Sequence, residues 1–311
     1  MTAAIVTVTL NPTIEGASEA DEIRPTRKIR TSEEIYDAGG GGINVARVVC
    51  ELGGSATAVY LSGGATGAVL DELLARTAVT GHRIGVRGRT RIAHSVLERS
   101  SGLEYRFVPQ GPQVDPDEWA LCRSALDELP WDYLVASGSL PRLAPVDAYA
   151  ELADLARRRG ARLVLDTSGE ALKAALERGV FLVKPSLDEL EWLVGHALED
   201  DQRRLEAARQ LVDKGQAEIV ALSKGQAGAL LVTRDLSLHL APPPVEARSA
   251  VGAGDSFVGG MTLALARDWP LRSAFAYGVA AGTAAVLWPG HGLVRRPDVE
   301  RLYEALKTTV D

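Results

Sequence analysis

The run Ser249-Ala250-Val251-Gly252-Ala253-Gly254-Asp255-Ser256-Phe257 places a carboxylate directly behind two glycines. The apolar stretch Phe257 to Leu265 follows at helical spacing, so the glycines fall at a helix N-terminus. Backbone N–H groups are unpaired there and the helix dipole adds positive potential, which together make an anion site. A carboxylate in the same turn is ill suited to binding an anion. It is well suited to taking a proton from a hydroxyl while the amides of Gly252, Ala253 and Gly254 hold developing phosphoryl charge. The competing reading is an aspartate that only caps a helix after a glycine turn, and the tripeptide alone does not separate the two.

A second signal is Gly39-Gly40-Gly41-Gly42 before a helix that carries Asn44 and Arg47 three residues apart on one face. Four glycines leave room for a ligand against bare backbone, and their ordering cost is high for a plain turn that needs one. A dinucleotide fingerprint fails, because the next strand ends in Ser62-Gly63-Gly64 with no acid for a ribose. No Gly-Lys dipeptide occurs, so a Walker A loop is excluded too. At Lys184-Pro185-Ser186-Leu187-Asp188-Glu189 a strand gives way to a helix. Glu189 lies one turn in, where a carboxylate can hold magnesium or simply complement the dipole. Ser223-Lys224-Gly225-Gln226-Ala227-Gly228 is a weaker glycine loop after another strand. The five histidines share no metal spacing.

These residues need a frame. β-branched runs (Thr57 to Leu61, Tyr133 to Ala136, Arg162 to Leu165, Ile219 to Leu222) alternate with helical stretches (Ile43 to Leu52, Val146 to Arg159, Leu187 to Val194, Leu205 to Lys214). That alternation implies an α/β fold with a mostly parallel sheet and helices on both faces. Glu22 to Asp37 and Arg89 to Val108 break it, the latter as two strands around Ser100-Ser101-Gly102. Together they predict a small β-sheet lid. It is too small to bury a face alone, so Val96, Leu97, Tyr105 and Phe107 need a partner lid and predict a homodimer.

Net charge is -7 over 311 residues, which argues against a nucleic-acid surface. Cys50 and Cys122 read as buried free thiols. The strand-like start lacks a signal-peptide pattern, and Ala274 to Pro289 is too short and too rich in Ala and Gly to span a bilayer. A cytoplasmic enzyme with no membrane partner is expected.

Taken in order, the motifs resemble the ribokinase-like, or PfkB, carbohydrate kinase family, nearest its phosphofructokinase branch. They are Thr9-Leu10-Asn11-Pro12, the glycine run through Ala46, Gly63-Gly64-Ala65-Thr66-Gly67, Ser137-Gly138-Ser139-Leu140-Pro141 and Val251-Gly252-Ala253-Gly254-Asp255. The resemblance covers essentially the whole chain. It implies one three-layer α/β/α domain over residues 1–311, with lid segments near 12–38 and 88–109. It implies Asp255 as base beside the Gly252–Gly254 anion hole. It implies a sugar phosphate at Glu15, Lys28, Gly39, Gly40, Asn44, Arg91 and Ser139, and ATP at Lys184, Ser186, Ser223, Gly225 and Gly228. Magnesium would lie at Glu189, and potassium near Ser249, Val251, Ala285 and Gly290. The implied reaction is ATP-dependent phosphorylation of fructose 6-phosphate, with fructose 1-phosphate and tagatose 6-phosphate open as acceptors. A catalytically weak sugar-phosphate-binding protein is the rival from another class. Three positions depart from the family pattern: Glu15 stands where it has Asp, Ser186 where it has Asn, and Arg142 where Pro-Gly is frequent.

Overall fold

The computed structural model describes residues 3–288 and 293–310. The chain opens with β1 (Ile5–Thr9), β2 (Thr13–Ala20), β3 (Ile35–Gly39), α1 (Gly41–Glu51), β4 (Ala56–Ser62), α2 (Gly64–Ala75) and β5 (Thr80–Gly85). It continues through β6 (Arg91–Glu98), β7 (Glu104–Phe107), α3 (Pro116–Glu128), β8 (Tyr133–Ser137), α4 (Ala148–Arg159), β9 (Arg162–Asp166), α5 (Gly169–Leu176) and β10 (Val180–Val183). The last third holds α6 (Leu187–Val194), α7 (Asp201–Asp213), β11 (Ala217–Ser223), β12 (Ala229–Val232), β13 (Ser237–Leu240), α8 (Ala253–Ala266), α9 (Leu271–Ala285) and α10 (Arg296–Val310).

Nine strands form the main sheet in the order β13-β12-β11-β10-β9-β8-β1-β4-β5. All neighbours are parallel except the hairpin edge β11-β12-β13. The central strands are buried on both faces, which is why their sequences are nearly continuous apolar runs. One core lies between the sheet and α1, α2, α8, α9 and α10; the other lies against α3 to α7. The Ala-rich segment read as too short for a membrane is the buried core helix α9. Among the described residues no helix is long and apolar enough to cross a membrane. Both cysteines are free thiols.

A separate four-stranded sheet, β3-β2-β6-β7, forms the lid. Its hairpin β6-β7 turns at Ser100 to Gly102, as the alternation predicts. The other half needs correction. Glu22 to Asp37 is largely a loop, and the strand sits earlier, at Thr13–Ala20. β2 carries Glu, Gly, Ser and Ala, so no apolar run betrays it; it is a strand because β3 and β6 pair with both its edges. The predicted helix Leu205 to Lys214 starts four residues sooner, at Asp201, because Asp200 caps it by accepting from the Arg203 N–H at 2.8 Å.

The four-glycine run serves packing before anything else. A methyl on Gly41 would overlap Ser137 Oγ, so only a bare Cα lets the start of α1 lie against the end of β8. Gly41→Ala is therefore expected to destabilise the fold by about 1–3 kcal/mol through overpacking. Urea unfolding followed by fluorescence checks this, and an unchanged midpoint would contradict the close approach.

Candidate active site

The carboxyl edge of the main sheet sets out the chemistry in strand order. Ser223 ends β11, Lys184 follows β10, Asp166 ends β9, Ser137 ends β8, and Asn11 follows β1. Open α/β sheets bind ligands at this edge.

Asp255 lies in the first turn of α8, above the middle of the row. The helix is capped by Gly252, whose φ of 75° needs glycine, and not by Asp255. The capping reading of Asp255 therefore fails. Its carboxylate instead accepts from Asn44 Nδ2 at 2.9 Å and from Ser137 Oγ at 3.3 Å. Burial pushes its pKa up to about 7, with Asp166 and Glu15 adding to the rise and Asn44 and Lys184 opposing it. Around Gly252 to Gly254 the backbone is open: the Ala253 N–H reaches only the Ala250 carbonyl, at 3.5 Å.

Lys184 is 5% exposed and forms an ion pair with Asp166, Nζ to Oδ1 at 3.1 Å. Burial alone pulls the ammonium pKa down, yet Asp166, Glu189 and Asp255 outweigh it and the net shift is upward. A methyl on Gly254 would sit 3.6 Å from Lys184 Nζ and 3.8 Å from Asp166 Oδ2, so this pair faces the first turn of α8. Asp166 was missed in the sequence. The available signal was an acid closing the apolar strand Arg162-Leu163-Val164-Leu165.

Glu189 and Ser186 form a reciprocal capping box on α6: Ser186 Oγ accepts from the Glu189 N–H at 3.2 Å, and Glu189 Oε2 accepts from the Ser186 N–H at 2.8 Å. Serine at 186 thus has a full local role. Burial raises the Glu189 pKa. Ser186 and Ser223 are joined by an isolated β-bridge, which brings two of the nucleotide candidates together. Gly225 and Gly228 shape the tight turn between β11 and β12, and Lys224, its side chain buried, anchors that turn through Asp201 at 2.8 Å.

The sugar candidates divide. Glu15, Gly39, Arg91 and Ser139 gather near Asn11, at the root of the lid. Arg91 donates to the carbonyls of Asn11 and Pro109 at 2.8 and 3.0 Å, while its Nε is buried without a partner. Asn11 Nδ2 donates to Ser139 Oγ at 3.2 Å. Gly40 precedes α1 with φ 108°. Lys28 stands exposed on the lid loop, and Arg142 is exposed as well. Arg47 shares a face with Asn44 but turns away, to Asp37 and the Ala38 carbonyl. Of the cation candidates, Ser249 Oγ accepts from the Val251 N–H at 3.2 Å and approaches Glu104 of the lid at 3.5 Å. Ala285 is buried at the end of α9, and Gly290 lies outside the described residues. Among the described residues, no group of three or more His, Cys, Asp or Glu is arranged to hold a metal.

Residues 9–295 match the model of the pfkB family carbohydrate kinases. The chain belongs to the pfkB family. It is 43% identical over 305 residues to the ATP-dependent 6-phosphofructokinase isozyme 2 of Mycobacterium tuberculosis, covering 96% of this chain and 89% of that one. It is 40% identical to the isozyme 2 enzyme of Escherichia coli, covering 97% and 98%. Solved structures of the Escherichia coli phosphofructokinase-2 superpose over 98% of this chain and 99% of theirs. The complex with potassium gives a TM-score of 0.95 at 40% identity, and that with fructose-6-phosphate gives 0.93 at 39%. The pfkB frame accounts for the fold directly: the nine-stranded layer and the four-stranded lid are its two parts.

Because Asp255 titrates higher in the fold than in the unfolded chain, the protonated form is the one the fold favours. The stability it lends is complete below about pH 4 and is lost as pH rises through about 7. Asp255→Asn removes that loss. The variant is expected to melt above the wild type at pH 8 and level with it near pH 3.5, in thermal unfolding of both at the two pH values.

Proposed function

We propose that the chain transfers the γ-phosphoryl group of ATP to the primary hydroxyl of fructose 6-phosphate, giving fructose 1,6-bisphosphate. The observation that carries this is Asp255: a buried carboxylate in a helix-opening turn, held by Asn44 and Ser137, with proton affinity raised into the neutral range. A general base works best with a pKa near the working pH. Asp255 would take the proton of the acceptor hydroxyl, and the amides of Gly252, Ala253 and Gly254 would face the transferring group, aided by the α8 dipole. Catalysis is then positioning plus charge stabilisation.

The row along the sheet edge supports the placement of both substrates. From β11 to β1 it spans roughly 19 Å, enough for two ligands end to end. ATP would lie at the Ser223, Gly225 and Gly228 end with Ser186, its phosphates running toward Lys184. The sugar phosphate would lie at the Glu15, Gly39, Gly40, Asn44, Arg91 and Ser139 end. Arg91, with an unpartnered Nε, would take the phosphate the acceptor carries, and Lys28 would reach it only through movement of the lid loop. Among the described residues no metal cage is preformed; Glu189, beside Asp166, would hold magnesium together with the nucleotide phosphates, and the ion would neutralise phosphoryl charge. An alkali cation would lie near Ser249, Val251 and Ala285. The long side chain at Glu15 keeps fructose 1-phosphate and tagatose 6-phosphate as acceptors to be compared. A purely binding protein is disfavoured, because it would have no use for a carboxylate poised to titrate near neutrality. The lid and body are read as one catalytic domain.

A panel of the three sugar phosphates with ATP and magnesium, coupled to ADP detection, tests the reading. Fructose 6-phosphate should give the highest kcat/KM, and Asp255→Asn should lower kcat by at least the ~10²-fold typical of a general base. Turnover retained in the purified variant would remove Asp255 from that role.

The lid also indicates assembly. Tyr36, Ile92, Tyr105 and Phe107 share the sheet face opposite Glu15 and are 36–59% exposed. Of the residues expected there, Val96 is buried on that face, and Leu97 lies half-buried on the other. A second lid would cover the patch, making a homodimer near twice 33.0 kDa. Light scattering should show that mass for the wild type and a monomer for Phe107→Asp. A monomeric wild type at micromolar concentration would refute the pairing.

A further inference from the structure

The acid at position 15 is held by a residue two strands away. β6 lies between β2 and β7, so Glu15 and Arg106 are separated by roughly 10 Å of sheet. Only two long side chains can cross that gap, and only over small neighbours. The register supplies them: Ala93 is opposite Glu15, and Ser95 is opposite Arg106. Both are buried under the crossing, and Ser95 Oγ has no hydrogen-bond partner. The crossing closes with Arg106 Nη2 donating to Glu15 Oε1 at 3.1 Å. Glu15 is 5% exposed and lies over Gly39, where a methyl would overlap its Cγ. An aspartate at this position would end about 1.5 Å short, beyond hydrogen-bonding range of Arg106.

We infer that Arg106 is a positioning residue for the acceptor sugar: it fixes the Glu15 carboxylate at the mouth of the site, and the long acid and the arginine act as one unit. The inference rests on the reading that the sugar phosphate lies between Glu15, Arg91 and Asp255. Neither of the other two departures from the family pattern touches this unit. Ser186 is engaged in its capping box, and Arg142 is exposed with its backbone paired to Gln113. Arg91 and Arg106, the arginines of strands β6 and β7, meet Glu15 differently. Arg91 donates to backbone carbonyls, keeps an unpartnered Nε and feels the Glu15 charge, whereas Arg106 donates to the Glu15 carboxylate. Since β7 is one of the lid's two edge strands, the pair also ties that edge to sugar recognition.

The test is a double-mutant cycle on the full-length enzyme with Glu15→Asp, Arg106→Met and both changes, reading kcat/KM for fructose 6-phosphate and KM for ATP. Each single change is expected to lower kcat/KM on the order of tenfold, and the double to be no worse than the worse single, a coupling of about tenfold. KM for ATP should stay within about twofold, which general damage to the fold would not allow. Arg106→Lys should recover part of the loss, and it carries the test if Arg106→Met does not fold. Losses that multiply in the double variant would mean that Arg106 acts independently of Glu15. That result, an inert Arg106→Met, or a Glu15→Asp enzyme as good as the wild type would each overturn the inference. A wild type that turns over no sugar phosphate would overturn the functional reading itself, which separates the two failures.

Discussion

Three carboxylates and one ammonium meet at the carboxyl edge of the main sheet. Asp166, Glu189 and Asp255 all act on Lys184, which is 95% removed from solvent. A buried ion costs several kcal/mol unless it is paired and hydrogen-bonded, so the cluster cannot be balanced with every carboxylate ionised at low cost. Lys184 keeps its proton because it has three acids to answer. The acids share one cation, and burial shifts the pKa values of Glu189 and Asp255 upward in spite of it. A group able to accept a proton near neutral pH is thus produced first by burial, with the neighbouring carboxylate of Asp166 adding to the rise.

The fold exists to hold that imbalance in place. Lys184 and Asp166 come from adjacent parallel strands, so their separation is fixed by the ladder between β9 and β10. Asp255 comes from a helix that is buried almost throughout and packed against α9 and α1. Asn44 comes from α1, whose start is pressed onto β8 through Gly41. Each member is therefore set by an element with no freedom to relax, which is what a preorganised site requires. The lid is less firmly fixed: its two edge strands, β3 and β7, are short and mostly exposed.

What the sequence revealed and what it hid follow from how each residue meets its partners. Asp255, Lys184 and Glu189 sit in local patterns where a strand or loop gives way to a helix, and such punctuation is legible over five or six residues. The alternation of apolar strands and amphipathic helices was equally clear, because both faces of the sheet are buried. Asp166 was passed over because a single acid after an apolar strand is unremarkable until Lys184 lies beside it. Arg106 left no trace at all. It stands in an exposed strand between Tyr105 and Phe107, and its meaning depends on register across two other strands. β2 was misplaced for a related reason: its polar side chains face the site, so it lacks the apolar alternation by which strands are read.

The Glu15–Arg106 pair returns to the charge balance with which the site begins. Glu15 already acts on Asp255 and pushes its proton affinity upward. A carboxylate at the mouth also repels the phosphate carried by an acceptor. Arg106 adds positive charge at 3.1 Å, beside that of Arg91, from the edge strand β7 of the lid sheet. A longer acid at position 15 is tolerable here because an arginine lies within reach of the extra methylene. The same arginine would be out of reach of a shorter acid and would then face the site as an unpaired cation. Length at position 15 and charge at position 106 are, on this geometry, a single variable, and a change at either should be felt as a change in the electrostatics of the acceptor site more than in its shape.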